Sequence, residues 1–141
     1  MTEAFPLQWP PGKPRTPRAR IERSRFSPGN RPQECRAVQE ELARLGARNV
    51  VISTNIRLRN DGLPYANDKA PADQGVAVYF TYAGGQKCFA CDRWWTIEEN
   101  LRAVWKSIEA IRGLERWGSK SFVDAAFTGF AALPAPGAAR A

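Results

Sequence analysis

Two cysteines three positions apart are the first residues in this 141-residue sequence whose spacing suggests chemistry. Cys88 and Cys91 form a Cys-x-x-Cys motif, which occurs in zinc half-sites and in redox pairs. A zinc site needs two more ligands, but the chain offers only Cys35 and contains no histidine. If residues 86–91 form a strand, side chains three positions apart point to opposite faces. We therefore expect free structural cysteines with no metal and no cofactor, and a functional pair is the alternative.

Four aspartates raise the question of an enzyme. Asp61, Asp68, Asp73 and Asp92 would resemble the metal site of a nuclease if the fold brought them together. However, Asp61 and Asp68 lie in turn-like sequence, where aspartate is favoured for backbone reasons. The absence of histidine excludes the Ser-His and Cys-His catalytic pairs. We therefore predict no catalytic residues.

Positive charge is concentrated at the start of the chain. The net charge is +7, and residues 1–32 hold seven basic and two acidic residues, whereas residues 33–141 hold fourteen and twelve. The first stretch also holds seven of the eleven prolines, which block helices and sheet ladders and favour extended backbone. We therefore predict a basic, extended N-terminal arm over residues 1–31.

An extended, arginine-rich arm can follow a phosphate backbone or lie across a partner protein. Seven arginines are the predicted nucleic-acid contacts, five in the arm and two on the polar face of a predicted strand: Arg15, Arg18, Arg20, Arg23, Arg25, Arg57 and Arg59. The alternative is that Trp9 and Phe26 attach the arm to the body of the protein while its arginines stay solvated.

Adjacent tryptophans follow the last predicted strand. Trp94 and Trp95 cannot both face the core in a regular backbone, so one is expected at the surface, where it can stack or form an interface. The predicted interface residues are Trp9, Arg93, Trp94 and Trp95. Asp92 and Arg93 are expected to fix this junction through local hydrogen bonds. The alternative is that one tryptophan fills the core and the other covers the arm or a helix end.

The helices that would position these residues follow from hydrophobic periodicity. Apolar residues at spacings of three and four predict a helix over residues 32–45. Thr96 and Glu99 have the spacing of a capping box, and they open a long amphipathic helix that reaches about residue 117. A last short helix is predicted to end near Phe130.

The strands follow from alternation of apolar and polar residues and from turn signals. A long half-buried strand is predicted over residues 50–59, followed by a turn at residues 60–62 and a short return strand over residues 63–66. A hairpin is predicted from strands over residues 76–82 and 86–91, which flank a glycine-rich turn.

This element order predicts an α+β fold. Behind the arm, the order α-β-(β)-β-β-α-α gives a two-layer sandwich in which helices cover an antiparallel sheet of three or four strands. We place this domain at residues 32–132 and a mobile tail at residues 133–141. The sequence has neither an apolar run of the ~18 residues typical of a membrane span nor a secretory signal, so we expect no membrane association and a cytoplasmic location.

Several motifs resemble a family of phage- and prophage-encoded proteins. They are Phe5-Pro6-Leu7-Gln8-Trp9-Pro10 with Pro14-Arg15-Thr16, Gly75-Val76-Ala77-Val78-Tyr79-Phe80, Cys91-Asp92-Arg93-Trp94, Glu115-Arg116-Trp117-Gly118, and residues 127–134. In that family a DnaJ-like J domain follows this region, and by comparison it would begin where this sequence ends. The sequence has no His-Pro-Asp motif, so the resemblance implies a phage or mobile-element gene in a bacterial host, but no stimulation of Hsp70.

Two functions are weighed from these observations. The preferred one is a phage or mobile-element accessory protein that binds nucleic acid without catalysis. The alternative is a protein-interaction module that acts as an inhibitor or adaptor of a host protein, such as a defence or chaperone component. A homodimer is compatible with either function. Contacts to five to seven phosphates predict a log-log salt dependence of affinity of about −4 to −6.

Overall fold

The computed structural model describes residues 2–65 and 68–118, together with Ser121 and Val123. These residues form a four-stranded mixed sheet and two α-helices, which confirms the predicted α+β class. Apart from Ser121 and Val123, the predicted last helix and the tail over residues 133–141 lie outside the described residues.

Helix α1 spans Arg31–Leu45, close to the predicted range. Asn30 and Gln33 cap its start, because each side chain accepts a hydrogen bond from the backbone N–H of the other. The helix ends at Gly46, whose φ of 93° lies in the left-handed region that favours glycine. Its apolar stripe is buried, as its periodicity predicts.

Helix α2 spans Ile97–Arg116, and the predicted capping box between Thr96 and Glu99 is present at its start. Two ion pairs join this helix to α1. Arg102 donates to both oxygens of Glu34 at 2.8 and 2.9 Å, and Arg112 donates to Glu41 at 2.6 Å. Both glutamates are buried, so each pair is formed largely out of water.

The sheet has the strand order β1-β2-β3-β4. Its strands are β1 (Thr2–Ala4), β2 (Arg48–Ser53), β3 (Val76–Tyr82) and β4 (Gly85–Cys91). The predicted β3–β4 hairpin and the antiparallel β2–β3 pair are present. The prediction of a wholly antiparallel sheet is wrong for β1, which pairs parallel with β2. A parallel pair needs a long connection, and the rest of the arm together with α1 supplies it.

Strand β2 is shorter than the strand predicted over residues 50–59. It ends at Ser53, which pairs with Ala4 on one side and Ala77 on the other, at the end of β1 and the start of β3. Beyond Ser53 one backbone hydrogen bond follows, from the Thr54 N–H to the Ala4 carbonyl oxygen at 3.1 Å, and then β1 and β3 have ended, so alternation alone does not extend the strand. The predicted return strand is reduced to one bridge between Leu58 and Pro64.

The core lies between the helices and the sheet. Its fully buried members come from α1, α2, β2 and β3, together with Val123, and they include Val38, Leu42, Ile52, Val76, Val78, Phe80, Leu101 and Ile108. Phe80 and Phe89 stack across the hairpin with ring centroids 5.7 Å apart. Among the described residues, neither helix combines the length and the apolar character needed to cross a lipid bilayer.

Candidate nucleic-acid interface

The arm lies against the body of the protein. After β1, the backbone N–H groups of Leu7 and Gln8 donate to the side chains of Asn55 and Ser53, at 3.1 and 2.7 Å. The hydroxyl of Tyr79 donates to the carbonyl oxygen of Gln8 at 2.7 Å. The arm is therefore docked, and each of its arginines has to be assessed by what lies next to it.

Asp92 is the main anchor of the arm. This buried carboxylate, only 4% exposed, accepts hydrogen bonds from Arg15 Nε at 2.7 Å, from the Thr16 backbone N–H at 3.0 Å and from the Thr16 hydroxyl at 2.6 Å. The outer edge of the Arg15 guanidinium makes two hydrogen bonds with Asp73, at 2.6 and 3.1 Å. The guanidinium also lies over the ring of Trp9, 4.5 Å from its centroid.

The electrostatics of this anchor keep its groups ionised. Burial raises the pKa of Asp92, but hydrogen bonds from Arg15 and Thr16 outweigh burial and lower the pKa below its ordinary value. The hydrogen bonds from Arg15 also lower the pKa of Asp73. Gly75 packs closely against this group, because a Cβ on it would lie 3.1 Å from Arg15 Nη2. Arg15 therefore joins the arm to the body of the protein through these ion pairs.

A second stretch of the arm docks on the predicted tryptophan junction. The Glu22 backbone N–H donates to the Arg93 carbonyl oxygen at 3.2 Å, and the Trp95 N–H donates to the Glu22 carbonyl oxygen at 3.1 Å. The Trp95 indole N–H donates to the Ile21 carbonyl oxygen at 3.2 Å. Arg93 itself reaches Glu22 at 3.4 Å. Asp92 and Arg93, expected to fix this junction through local hydrogen bonds, each contact the arm.

Two side-chain contacts complete this docking. Ser24 donates to the buried carboxylate of Glu99 from its hydroxyl at 2.8 Å and from its backbone N–H at 3.1 Å. Phe26 and Trp94 meet edge to face, with ring centroids 5.9 Å apart. Phe26 therefore attaches the arm to the body, as one of the two sequence alternatives states. The docking fixes the backbone on which the remaining arginines stand.

Four exposed arginines follow one another within residues 18–25 of the arm, and we call them the basic patch: Arg18, Arg20, Arg23 and Arg25. The first two lie in a short 3-10 turn that precedes the docked stretch. Among the described residues, no carboxylate forms an ion pair with any of the four, and the nearby Glu22 pairs with Arg93. The basic patch thus presents positive charge without an ion-paired carboxylate among the described residues, although Arg18 contributes to lowering the pKa of Asp73.

The two predicted contacts outside the arm have a different environment. Arg57 pairs with Asp68 through hydrogen bonds of 2.8 and 3.0 Å and lies over the ring of Tyr65. Arg59 pairs with Asp61 at 2.7 Å. Both pairs lie in the loop after β2 and are exposed. Each arginine therefore has its charge compensated locally.

The predicted alternative of a metal site finds no support in this arrangement. Each of the four aspartates considered in the sequence contacts an arginine. Within residues 2–65 and 68–118, no three His, Cys, Asp or Glu side chains are grouped so that they could hold a metal ion.

The three cysteines are free thiols. Cys88 and Cys91 lie three positions apart in β4, and burial raises the pKa of Cys88 to about 12. Burial also raises the pKa of Cys91, whose thiol lies 3.2 Å from the side-chain oxygen of Asn100. Burial raises the pKa of Cys35 in α1 to about 12. Thiols that stay protonated are weak nucleophiles and weak metal ligands.

The predicted interface residues divide into half-buried and exposed ones. Trp94 is half-buried, whereas 59% of the Trp95 surface is exposed. Trp9 is half-buried. Its indole N–H donates to the carbonyl oxygen of Lys13, four residues further along the arm, at 2.8 Å. Arg93 is exposed and lies over the Trp94 ring at 5.1 Å. Of the adjacent pair, Trp95 is therefore the surface aromatic that the sequence led us to expect.

The sequence interpretation missed the residues that receive the arm. Arg15 contacts carboxylates 58 and 77 positions away, and Ser24 contacts Glu99, which is 75 positions away. No periodicity or local motif links residues at such separations. The interpretation also missed Thr16, which is a common residue in a proline-rich segment.

Comparisons of the chain with protein-family models, with curated proteins and with solved structures found no match. The resemblance to the phage-encoded J-domain family therefore stays a prediction.

Proposed function

We propose that this protein binds nucleic acid, without catalysis, through the basic patch. The observation that carries the proposal is that Arg18, Arg20, Arg23 and Arg25 are exposed and have no carboxylate partner among the described residues. Arginine suits phosphate because its guanidinium is planar, always charged and able to donate two parallel hydrogen bonds. The resemblance to a phage-encoded family favours an accessory role in a phage or mobile element.

The proposed contact set is smaller than the set predicted from the sequence. Arg15 ties the arm to Asp92 and Asp73, and Arg57 and Arg59 each face an aspartate. Four arginines remain, so the expected log-log salt dependence is about −2.8 for a single strand to about −3.6 for a duplex, not −4 to −6.

Docking of the arm makes the patch a better phosphate-binding surface than a free tail would be. A free tail loses backbone freedom when it binds, at a cost of roughly 1–2 kcal/mol for each residue that becomes ordered. Here hydrogen bonds from Glu22 and Ser24 to the body order the backbone beforehand. Less of the binding free energy is then lost to ordering.

The test compares two triple variants that carry the same net charge. Replacing Arg18, Arg20 and Arg23 by Gln removes most of the patch, while replacing the exposed Arg36, Arg48 and Arg116 by Gln removes charge elsewhere. Both variants lower the net charge from +7 to +4. Fluorescence anisotropy with a labelled oligonucleotide, repeated over a range of salt, should show a salt slope about 2 to 3 units shallower for the patch variant only.

Equal losses in the two variants would show that total charge, and not the patch, attracts the nucleic acid. Binding that does not depend on salt, or no binding by the unmodified protein, would reject the proposal.

A protein-interaction module is the second candidate, favoured by Trp117, whose surface is 72% exposed at the end of α2. Exposed tryptophans are frequent hot spots of protein interfaces. Capture of one stoichiometric host protein after nuclease treatment, and its loss in Trp117→Ala, would support this alternative. Capture that depends on nucleic acid would instead support the basic patch.

A further inference from the structure

Trp95 is held beside the basic patch. Its backbone N–H donates to Glu22 and its indole N–H donates to Ile21, and both acceptors lie between Arg20 and Arg23 in the chain. Although these contacts fix the residue, 59% of its surface stays exposed. A tryptophan ring gains substantial free energy from burial, so a fixed and exposed one is suited to contact a ligand.

Trp95 lines two concavities that differ in charge. The one next to the arm has a volume of about 220 Å³ and is lined by Arg18, Ile21, Ala72, Gln74 and Trp95. The other, of about 300 Å³, is lined by acidic and basic side chains in equal number: Asp68, Glu98, Arg31 and Lys69. The lining of the first concavity contains a cation and no carboxylate, so an anionic ligand is favoured there.

We infer that Trp95 stacks on an unpaired nucleobase in this first concavity, while Arg18 and the rest of the basic patch contact the flanking phosphates. The inference rests on the proposed function and deepens it, because it makes single-stranded nucleic acid the ligand class. In a duplex the faces of the bases are covered by their neighbours, so an indole face can reach only a base that has left the stack.

A second concave surface is also lined by an arginine of the basic patch. Arg20 and Arg93 line an open groove that runs along residues 14–22 of the arm. The groove also holds the carboxylate of Glu22, which pairs with Arg93, so Arg20 is the arginine of the basic patch that remains for a phosphate there. A single strand whose base sits on Trp95 can therefore place the neighbouring phosphates on Arg18 and Arg20.

The experiment measures binding of the full chain to labelled oligo(dT) of about 15 nucleotides, near the upper end of single-strand site sizes. A hairpin duplex of the same labelled length serves as the comparison. We expect Trp95→Ala to weaken oligo(dT) binding by about 5- to 100-fold, the range of one lost base–aromatic stack, and Trp95→Phe to retain most of it. Duplex binding and the salt slope should change little in either variant.

Two further variants separate stacking from a general loss of structure. Ala72→Leu fills the concavity at an exposed position and keeps the hydrogen bond between Trp95 and Ile21, so it should weaken oligo(dT) binding in the same direction. Trp117→Ala removes a more exposed indole at the opposite end of α2, ~30 Å away for a helix of this length, and should have no effect.

The possible failures are distinguishable. If Trp95→Ala and Ala72→Leu bind oligo(dT) as the unmodified protein does, with the salt slope retained, the stacking site is refuted and the basic patch stands. Equal affinity of the unmodified protein for oligo(dT) and for the duplex refutes the stacking site as well. Absence of salt-dependent binding to both probes refutes the proposed function itself.

Discussion

The two halves of the arm use the same residue type in opposite ways. In residues 2–16, Arg15 is bound by two carboxylates and joins the arm to the body. In residues 18–25, backbone and Ser24 contacts hold the arm, and the arginines remain exposed. Both halves are rich in proline or arginine, so composition does not explain the difference. The difference comes from the groups that lie next to each arginine side chain. It teaches that an arginine cluster must be divided by its partners before charge is equated with function.

The largest expected effect is loss of the anchor carboxylate. Asp92→Ala leaves Arg15 and Thr16 without their buried acceptor and should lower the free energy of unfolding by about 3 kcal/mol. Urea denaturation followed by circular dichroism measures this change. Asp61→Ala removes an exposed partner of Arg59 and should cost no more than about 0.5 kcal/mol. Equal effects would mean that the first half of the arm is not anchored as described.

Acid should remove the same contact progressively. Because the pKa of Asp92 is lower in the folded protein than its ordinary value of 3.8, its contribution is complete above that value and is lost as the pH falls through the folded pKa. The stability difference between the unmodified protein and Asp92→Asn should therefore be constant near neutral pH and shrink below about pH 4. A difference that persists undiminished at acid pH would contradict this assignment.

Two arginine variants compare the halves directly. Arg15→Gln loses hydrogen bonds to Asp73 and Asp92 and the contact with Trp9, so it should cost about 1.5–2 kcal/mol. Arg20→Gln should change stability by less than about 0.5 kcal/mol but weaken oligonucleotide binding. Thermal melts should show the stability loss in Arg15→Gln, and fluorescence anisotropy should show the loss of oligonucleotide binding in Arg20→Gln. Similar stability losses in both would remove the distinction between the halves.

The smallest effect concerns the second half of the arm. Ser24→Ala removes the hydroxyl donor to Glu99 and keeps the backbone N–H donor, so the cost should be about 1 kcal/mol. Ser27→Ala, at an exposed position nearby, is the matched control and should be neutral. Hydrogen exchange at Glu22 would show whether the docked backbone loosens. Unchanged exchange together with unchanged stability would show that Ser24 does not hold the arm.

Local signals in the sequence predict most of the body. The capping box at Thr96, the apolar stripe of α1 and the glycine-rich hairpin turn are each contained within a few residues, and each is present. Strand β1 could not be predicted, because Thr2–Ala4 has only three residues and the residue that pairs with Thr2 is the distant Val51 in β2. The strand predicted over residues 50–59 is too long for the same reason, because the end of β2 depends on distant pairing partners and not on the local alternation of apolar and polar residues.

The candidate site was predicted only in part for the same reason. The sequence identifies the arm, its arginines and an exposed tryptophan. It does not distinguish Arg15 from Arg18, because the distinction depends on Asp73 and Asp92 and on the fold that brings them to the arm. Charge and composition are local properties, whereas neutralisation is a property of the assembled structure.

The dependence of the arm on distant partners has a consequence for translation. Residues 2–16 precede β2 and Asp92 in the chain, so they can dock only after these later residues have been synthesised. Until then Arg15 lacks its two carboxylate partners, just as the basic patch has no ion-paired carboxylate among the described residues. When the fold is complete, Arg15 is paired with Asp73 and Asp92, and the four arginines of the basic patch stay exposed. Residues that are synthesised after the arm thus determine which of its arginines remain at the surface.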